Sequence, residues 1–170
     1  MGGRLFIVCA AGLLVTGCFK QKPVDQNAES AKQIHQLLDN WSKAFAAKDV
    51  NAVMAMYAPG AALTAYDIVP PLQYKGFDAY KKDYAEFFAQ FDGPIRVQIA
   101  DEHLEVSGDL ATDYALEHIT GKLKDGKPAD VWLRATSVFK RIGGKWLDIH
   151  DHVSVPADMA TGKAALDLKP

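Results

Sequence analysis

The stretch IRVQIADEHLEVSGDLATDYALEHITGKLKDGKPADVWLRATSVFKRIGGKWLDIHDHVSV, residues 95–155, decides the fold. Ile95, Val97 and Ile99 alternate with polar residues, as a strand with one buried face requires. Leu104 and Val106 resume the alternation on the opposite parity, which implies a bulge between the two halves. Ser107-Gly108-Asp109 is a turn, Leu110 to Gly121 a second strand, and Asp125-Gly126 a hairpin signal. Ala129 to Arg141 and Lys145 to Val155 are the next strands, separated by Gly143-Gly144. Four long strands joined by short turns make an antiparallel meander, whose single apolar face must be covered.

The cover lies upstream. From Asp25 to Lys48 apolar residues recur at helical spacing, with Ile34, Leu37, Leu38, Trp41, Ala44 and Phe45 on one stripe. Asp25 or Ser30 can cap its start. Asp49 reads as the N-cap of a short second helix carrying Val50, Val53, Met54 and Tyr57, stopped by Pro59-Gly60. Ala61 to Tyr66 is a short strand, and Pro70-Pro71 imposes an extended loop. Gly76 precedes a third helix with the stripe Phe77, Tyr80, Tyr84, Phe87, Phe88 and Phe91, ended by Asp92-Gly93-Pro94. The expected domain is α+β, with three N-terminal helices against an antiparallel sheet, over residues 30–156. Residues 157–170 show no pattern and read as a tail.

Ahead of the domain, Arg4 is followed by the apolar run Leu5 to Val15, a length that suits an export signal better than a membrane span. Val15-Thr16-Gly17-Cys18 resembles the lipobox of bacterial lipoproteins. That resemblance implies a signal peptide over 1–17, a lipidated Cys18, and a polar tether over 18–29. It places the protein in the cell envelope on the periplasmic side. Phe19 stands where an Asp would favour inner-membrane retention, so the outer membrane is preferred. A plain secretory signal or an uncleaved anchor remain alternatives. The only cysteines are Cys9 and Cys18, so the domain has neither an internal disulfide nor a thiolate metal site. A net charge of −2 and the lack of a basic stripe exclude a nucleic-acid partner of the usual electrostatic kind.

The order of elements resembles the NTF2-like superfamily, in particular its SnoaL-like branch. The resemblance rests on Trp41 to Asp49 leading into a short helix, Tyr57-Ala58-Pro59, and a strand ending in Tyr66-Asp67. It continues through Gly76, Arg134-Ala135-Thr136, and Gly144-Lys145-Trp146 running into His150-Asp151-His152-Val153-Ser154-Val155-Pro156. It implies a curved sheet wrapped around the helices as a cone with a pocket at its wide end, and a homodimer as a common state. It does not imply one function, because the fold hosts isomerases, cyclases, dehydratases and assembly domains.

By that resemblance Asp67 occupies the place of the general base in the ketosteroid-isomerase branch; capping the following turn is the competing role. The oxyanion-hole positions of that branch fall on Trp41 and Thr136, which do not match its Tyr and Asp, so ketosteroid-type isomerisation is disfavoured. With Ile142-Gly143 as a two-residue turn, Arg134 lies across from Asp151, on a face with Thr136, Ile149 and Val153. Arg134 then serves either a ligand or an ion pair with Asp151. His150 and His152 share the other face with Trp146, where a dimer contact is expected and a metal site is the weaker alternative. The expected pocket is Trp41, Tyr66, Asp67, Arg134, Ile149 and Asp151, with Asp67 and Arg134 as catalytic candidates. No cofactor or metal is called for. The leading reading is a non-catalytic domain binding a small apolar ligand or a protein partner. The alternative is a cofactor-independent isomerase, cyclase or dehydratase with Asp67 as base.

Overall fold

The computed structural model describes residues 25–170; the expected signal segment, Cys18 and the tether through residue 24 lie outside the described residues. Asp25 starts helix α1 (Gln26–Ala46) by accepting hydrogen bonds from the N–H groups of Asn27 and Ala28 at 3.0 and 3.3 Å. The end of the expected tether, 26–29, is therefore already helical. Ser30, the other cap considered, is fully buried inside the helix, where its hydroxyl donates to the Gln26 carbonyl at 2.7 Å. Asp49 caps α2 (Val50–Met54) through the N–H of Ala52 at 3.0 Å.

A short 3-10 turn (Gly60–Ala62) leads into β1 (Thr64–Tyr66), then β2 (Tyr74–Lys75) and α3 (Phe77–Phe88). Gly76 enters α3 at φ 89°, and a Cβ there would stand 3.3 Å from the Gly60 carbonyl oxygen. Only glycine takes that conformation without strain. The long strands are β3 (Arg96–Ser107), β4 (Leu110–Lys122), β5 (Pro128–Ile142) and β6 (Lys145–Ser154), in the sheet order β2-β1-β6-β5-β4-β3. The expected bulge in β3 lies between Ala100 and His103. The three helices pack against a curved sheet, as expected, but the sheet is mixed: β1 runs parallel to β6, and β2 adds a sixth strand where only a loop was expected.

The core lies between helices and sheet. Ile34, Leu38 and Phe45 of α1, with Tyr84 and Phe88 of α3, meet Ile119 of β4 and Leu133 and Phe139 of β5. Gly121 lets the chain close over Phe91, whose ring would be 2.9 Å from a Cβ at that position.

The β5–β6 pairing corrects the sequence reading. Gly143 and Gly144 form the turn at φ 57° and 81°, and Ile142 pairs with Lys145. A two-residue hairpin turn with left-handed backbone at both positions accepts glycines and rejects Ile142. The ladder then shifts once more: Phe139 opposes Asp148, but Val138 opposes His150. Arg134 therefore lies across from Ser154, and Asp151 across from Ser137. The shift follows from β6's other edge. Asp148 exchanges backbone hydrogen bonds with Met56 and Ala58 at 2.9 and 2.7 Å, whereas His150 to His152 pair with β1. Trp146 and Asp148 point to the helices before the bulge, and Asp151 and Val153 after it.

Candidate functional site

Helices α1 and α3, the loop after β1 and the concave sheet face enclose a cavity of about 430 Å³. Its floor is low where Ala115 of β4 and Ala135 of β5 oppose each other, since methyl groups leave room that larger side chains would fill. Its wall is aromatic, with Trp41 and Phe45 from α1, Tyr57, and Tyr80, Tyr84 and Phe87 from α3.

The polar tips of this wall form one chain of hydrogen bonds. Trp41 Nε1 donates to the Tyr84 hydroxyl at 3.3 Å, and the Tyr84 and Tyr57 hydroxyls are 2.7 Å apart. Tyr57 donates to Asp151 Oδ2 at 2.9 Å, and Tyr80 donates to the same oxygen at 2.8 Å. An indole N–H can only donate and a carboxylate can only accept. The chain therefore runs one way, from Trp41 through Tyr84 and Tyr57 to Asp151. Burial and the Asp151 charge push all three phenols well above their ordinary pKa, which keeps them protonated as donors. Burial raises Asp151 too, against the two phenol hydrogen bonds that lower it. Asp148 is fully buried behind Asp151, with the Ser137 hydroxyl and the His150 N–H near its carboxyl but no well-formed hydrogen bond to either oxygen. Burial first, then the Asp151 charge, pushes its pKa up strongly, which favours the neutral form of Asp148 beside Asp151.

More carboxyl groups face the same space. Asp113, Ser137 and Asp151 form a row across β4, β5 and β6. Asp113 is raised from 3.8 to about 6 by burial and then by Glu102, with His35 and His103 pulling it down. Glu117, further along β4, is raised from 4.5 to about 8 by burial and then by Asp151, Asp113 and Asp67. Asp67 and Asp83 stand on the side of the loop and α3, where Tyr74 donates to Asp83 at 2.7 Å. Asp67 is raised from 3.8 to about 6 by burial and then by Asp83. Its Oδ1 also accepts from the Ile68 N–H at 2.6 Å, so it caps the turn and lines the cavity at once.

Of the six residues expected in the pocket, Trp41, Asp67 and Asp151 line the cavity. Arg134 does not: it is exposed on the outer sheet face, because the register places Leu133 and Ala135 inward instead. It neither pairs with Asp151 nor reaches Asp67's side of the sheet. Ile149 sits at the bulge, outside the lining. Tyr66 is on the outer face with His150 and His152, at ring distances of 4.8 and 5.6 Å. Trp146, expected beside them, is buried on the helix side with the Arg141 guanidinium 4.5 Å over its ring. The sequence reading named neither Asp113 nor Glu117 as a pocket residue. Both lie on the parity of Ala111, Ala115 and Ile119, but Leu110, Tyr114 and Leu116 make the opposite parity look equally apolar.

The sequence profile of the SnoaL-like domain matches residues 34–158. The chain belongs to the SnoaL-like family. An NTF2-like protein of unknown function from Pseudomonas putida KT2440 is 33% identical with a TM-score of 0.76, covering 84% of this SnoaL-like chain and 98% of that one. An NTF2-like superfamily protein from Salmonella enterica serovar Typhimurium LT2 shares the fold at 17% identity and TM-score 0.69, covering 81% and 99%. A dehydratase candidate of the NTF2-like family from Streptomyces avermitilis does so at 19% identity and TM-score 0.66, covering 75% and 97%. No curated protein matches the SnoaL-like chain.

Proposed function

We propose that the SnoaL-like domain binds a small, largely apolar molecule with one polar end, and that a lipidated Cys18 holds it at a membrane of the cell envelope. The carrying observation is the aromatic-walled cavity of about 430 Å³ with carboxyl groups on its floor. Apolar walls with a few convergent polar groups are the usual make-up of a small-molecule site. N-phenyl-1-naphthylamine, a neutral fluorophore that brightens in apolar surroundings, tests the reading. The purified full chain should bind it, and Ala115→Phe, which fills the floor, should abolish the signal with the circular dichroism unchanged. Equal binding by both proteins, or by neither, refutes the proposal.

A second reading is a proton-transfer enzyme with Asp67 as base, favoured by its carboxyl raised to about 6 at the cavity. The outward Arg134 supplies no electrophile for it. The Tyr57 and Tyr80 hydroxyls are already directed at Asp151 rather than free for a developing oxyanion. Binding is therefore preferred. A homodimer through the outer face, around Tyr66, His150 and His152, fits either reading.

A further inference from the structure

Resting on the ligand-cavity reading, we propose that the cavity takes an organic ammonium ion, with the protonated nitrogen set among Asp113, Glu117 and Asp151 and the apolar body against the aromatic wall. The charge pattern is one-sided. Among the described residues no Lys, Arg or His lines the cavity, whereas Asp67, Asp83, Glu86, Asp113, Glu117 and Asp151 all do. Buried carboxylates in proteins are ordinarily paired with cations. Here Asp113 is only 5% exposed, yet its Oδ1 has no hydrogen-bond partner. Nothing around Glu117 offsets its burial, and every charge near it is another carboxylate.

The donors tell the same story. The Trp41 indole and the phenols of Tyr57, Tyr80 and Tyr84 are spent within the chain that ends on Asp151. Once the carboxyls ionise, above about pH 8 for Glu117, an anion or a carbonyl group entering the cavity meets mainly acceptors. An ammonium ion meets carboxyl oxygens and the electron-rich faces of aromatic rings, both of which attract it.

A bare metal ion fits poorly. Asp113 and Asp151 are two strands apart, roughly 10 Å between backbones, and Glu117 is four residues from Asp113, roughly 13 Å along the strand. A divalent ion needs its oxygens within about 2.6 Å. Among the described residues no group of His, Cys, Asp or Glu is placed for that. An ammonium ion needs no closed oxygen shell: one carboxyl can hold its nitrogen while the others attract it through space, and its apolar body fills the remaining volume. At about 30 Å³ per water-sized group, the cavity of about 430 Å³ holds a molecule of roughly a dozen non-hydrogen atoms.

Binding is coupled to protons. Glu117 faces Asp151, Asp113 and Asp67; Asp113 faces Glu102 and His103 of β3 and His35 of α1. The ammonium ion favours the ionised carboxyls, so their protons leave to solvent when it enters, and its affinity rises with pH. Three matched probes test this: 2-phenylethylamine, 2-phenylethanol and phenylacetate, titrated calorimetrically into the purified full chain at about pH 6 and about pH 8.5, where the amine is still a cation. The amine should bind at least about tenfold tighter than the alcohol at the higher pH, and phenylacetate not at all. The amine's advantage should shrink at the lower pH, and its heat should depend on the buffer's own ionisation heat. Glu117→Gln should cut the amine's advantage over the alcohol about tenfold. Equal affinity for amine and alcohol overturns the ammonium proposal and leaves the ligand-cavity reading standing. Tighter binding of phenylacetate does the same. No binding of any probe by wild type overturns both. The wild-type comparison decides the matter even where the variant fails to fold.

Discussion

Glu117→Gln isolates the energetic consequence of an acid-lined cavity. The Glu117 carboxyl is raised from 4.5 to about 8, by burial and then by the charges of Asp151, Asp113 and Asp67. Below about pH 4.5 the folded and unfolded chains both hold the proton, and the group is neutral toward stability. As pH rises from there, the unfolded chain ionises freely while the folded one resists, so stability is lost progressively until about pH 8. At ~1.4 kcal/mol per pH unit the full gap is ~5 kcal/mol, an upper bound, because Glu117 is only partly buried and solvent screens it. A loss of about 2–3 kcal/mol is expected. Gln has the shape of protonated Glu and never ionises. Urea unfolding of the full chain should therefore show Glu117→Gln within about 0.5 kcal/mol of wild type near pH 5 and more stable by about 2–3 kcal/mol near pH 9. Equal effects at the two pH values, or a loss of stability at pH 9, would refute the reasoning. The first outcome would mean that Glu117 ionises as easily folded as unfolded.

Other consequences are simpler to check. Arg134→Ala should change stability by no more than about 0.5 kcal/mol and leave probe binding intact, since the side chain is exposed on the outer face; a loss of several kcal/mol would restore the buried Arg134–Asp151 pair. Gly121→Ala should cost about 1–3 kcal/mol in urea unfolding, because its methyl would meet the Phe91 ring at 2.9 Å. Cys18→Ser should move the full chain out of the detergent-soluble membrane fraction, and unchanged partitioning would dismiss the lipid anchor. Sedimentation of the full chain should show a dimer through the outer face around Tyr66, His150 and His152; a monomer throughout would remove the interface.

What the sequence could and could not disclose divides at the turn before β6. Helix stripes, caps and strand alternation are local properties, and they sufficed for the three helices, the four long strands and the β3 bulge. Asp25 and Asp49 cap as their positions suggest. The site depends on which way β6 faces, and two non-local facts set that. One is the glycine pair at the turn, which moves the register away from Ile142. The other is that β6 serves three neighbours: β5 along one edge, and on the other Met56–Ala58 beside Asp148, then β1 beside residues 150–152. In β6 the extra residue, Ile149, falls where the strand passes from one neighbour on that edge to the other, and an inserted residue reverses the faces beyond it. Leu147 and Ile149 alternate in phase with Asp151 and Val153, so a straight strand would place all four on one side. The bulge instead joins Trp146 and Asp148 to Asp151 and Val153 on the helix side. That single inserted residue brings Asp148 behind Asp151 and leaves His150 and His152 on the outer face. It also parts Asp151 from the outer face that carries Arg134, so the pocket expected to hold both is lined by acids instead.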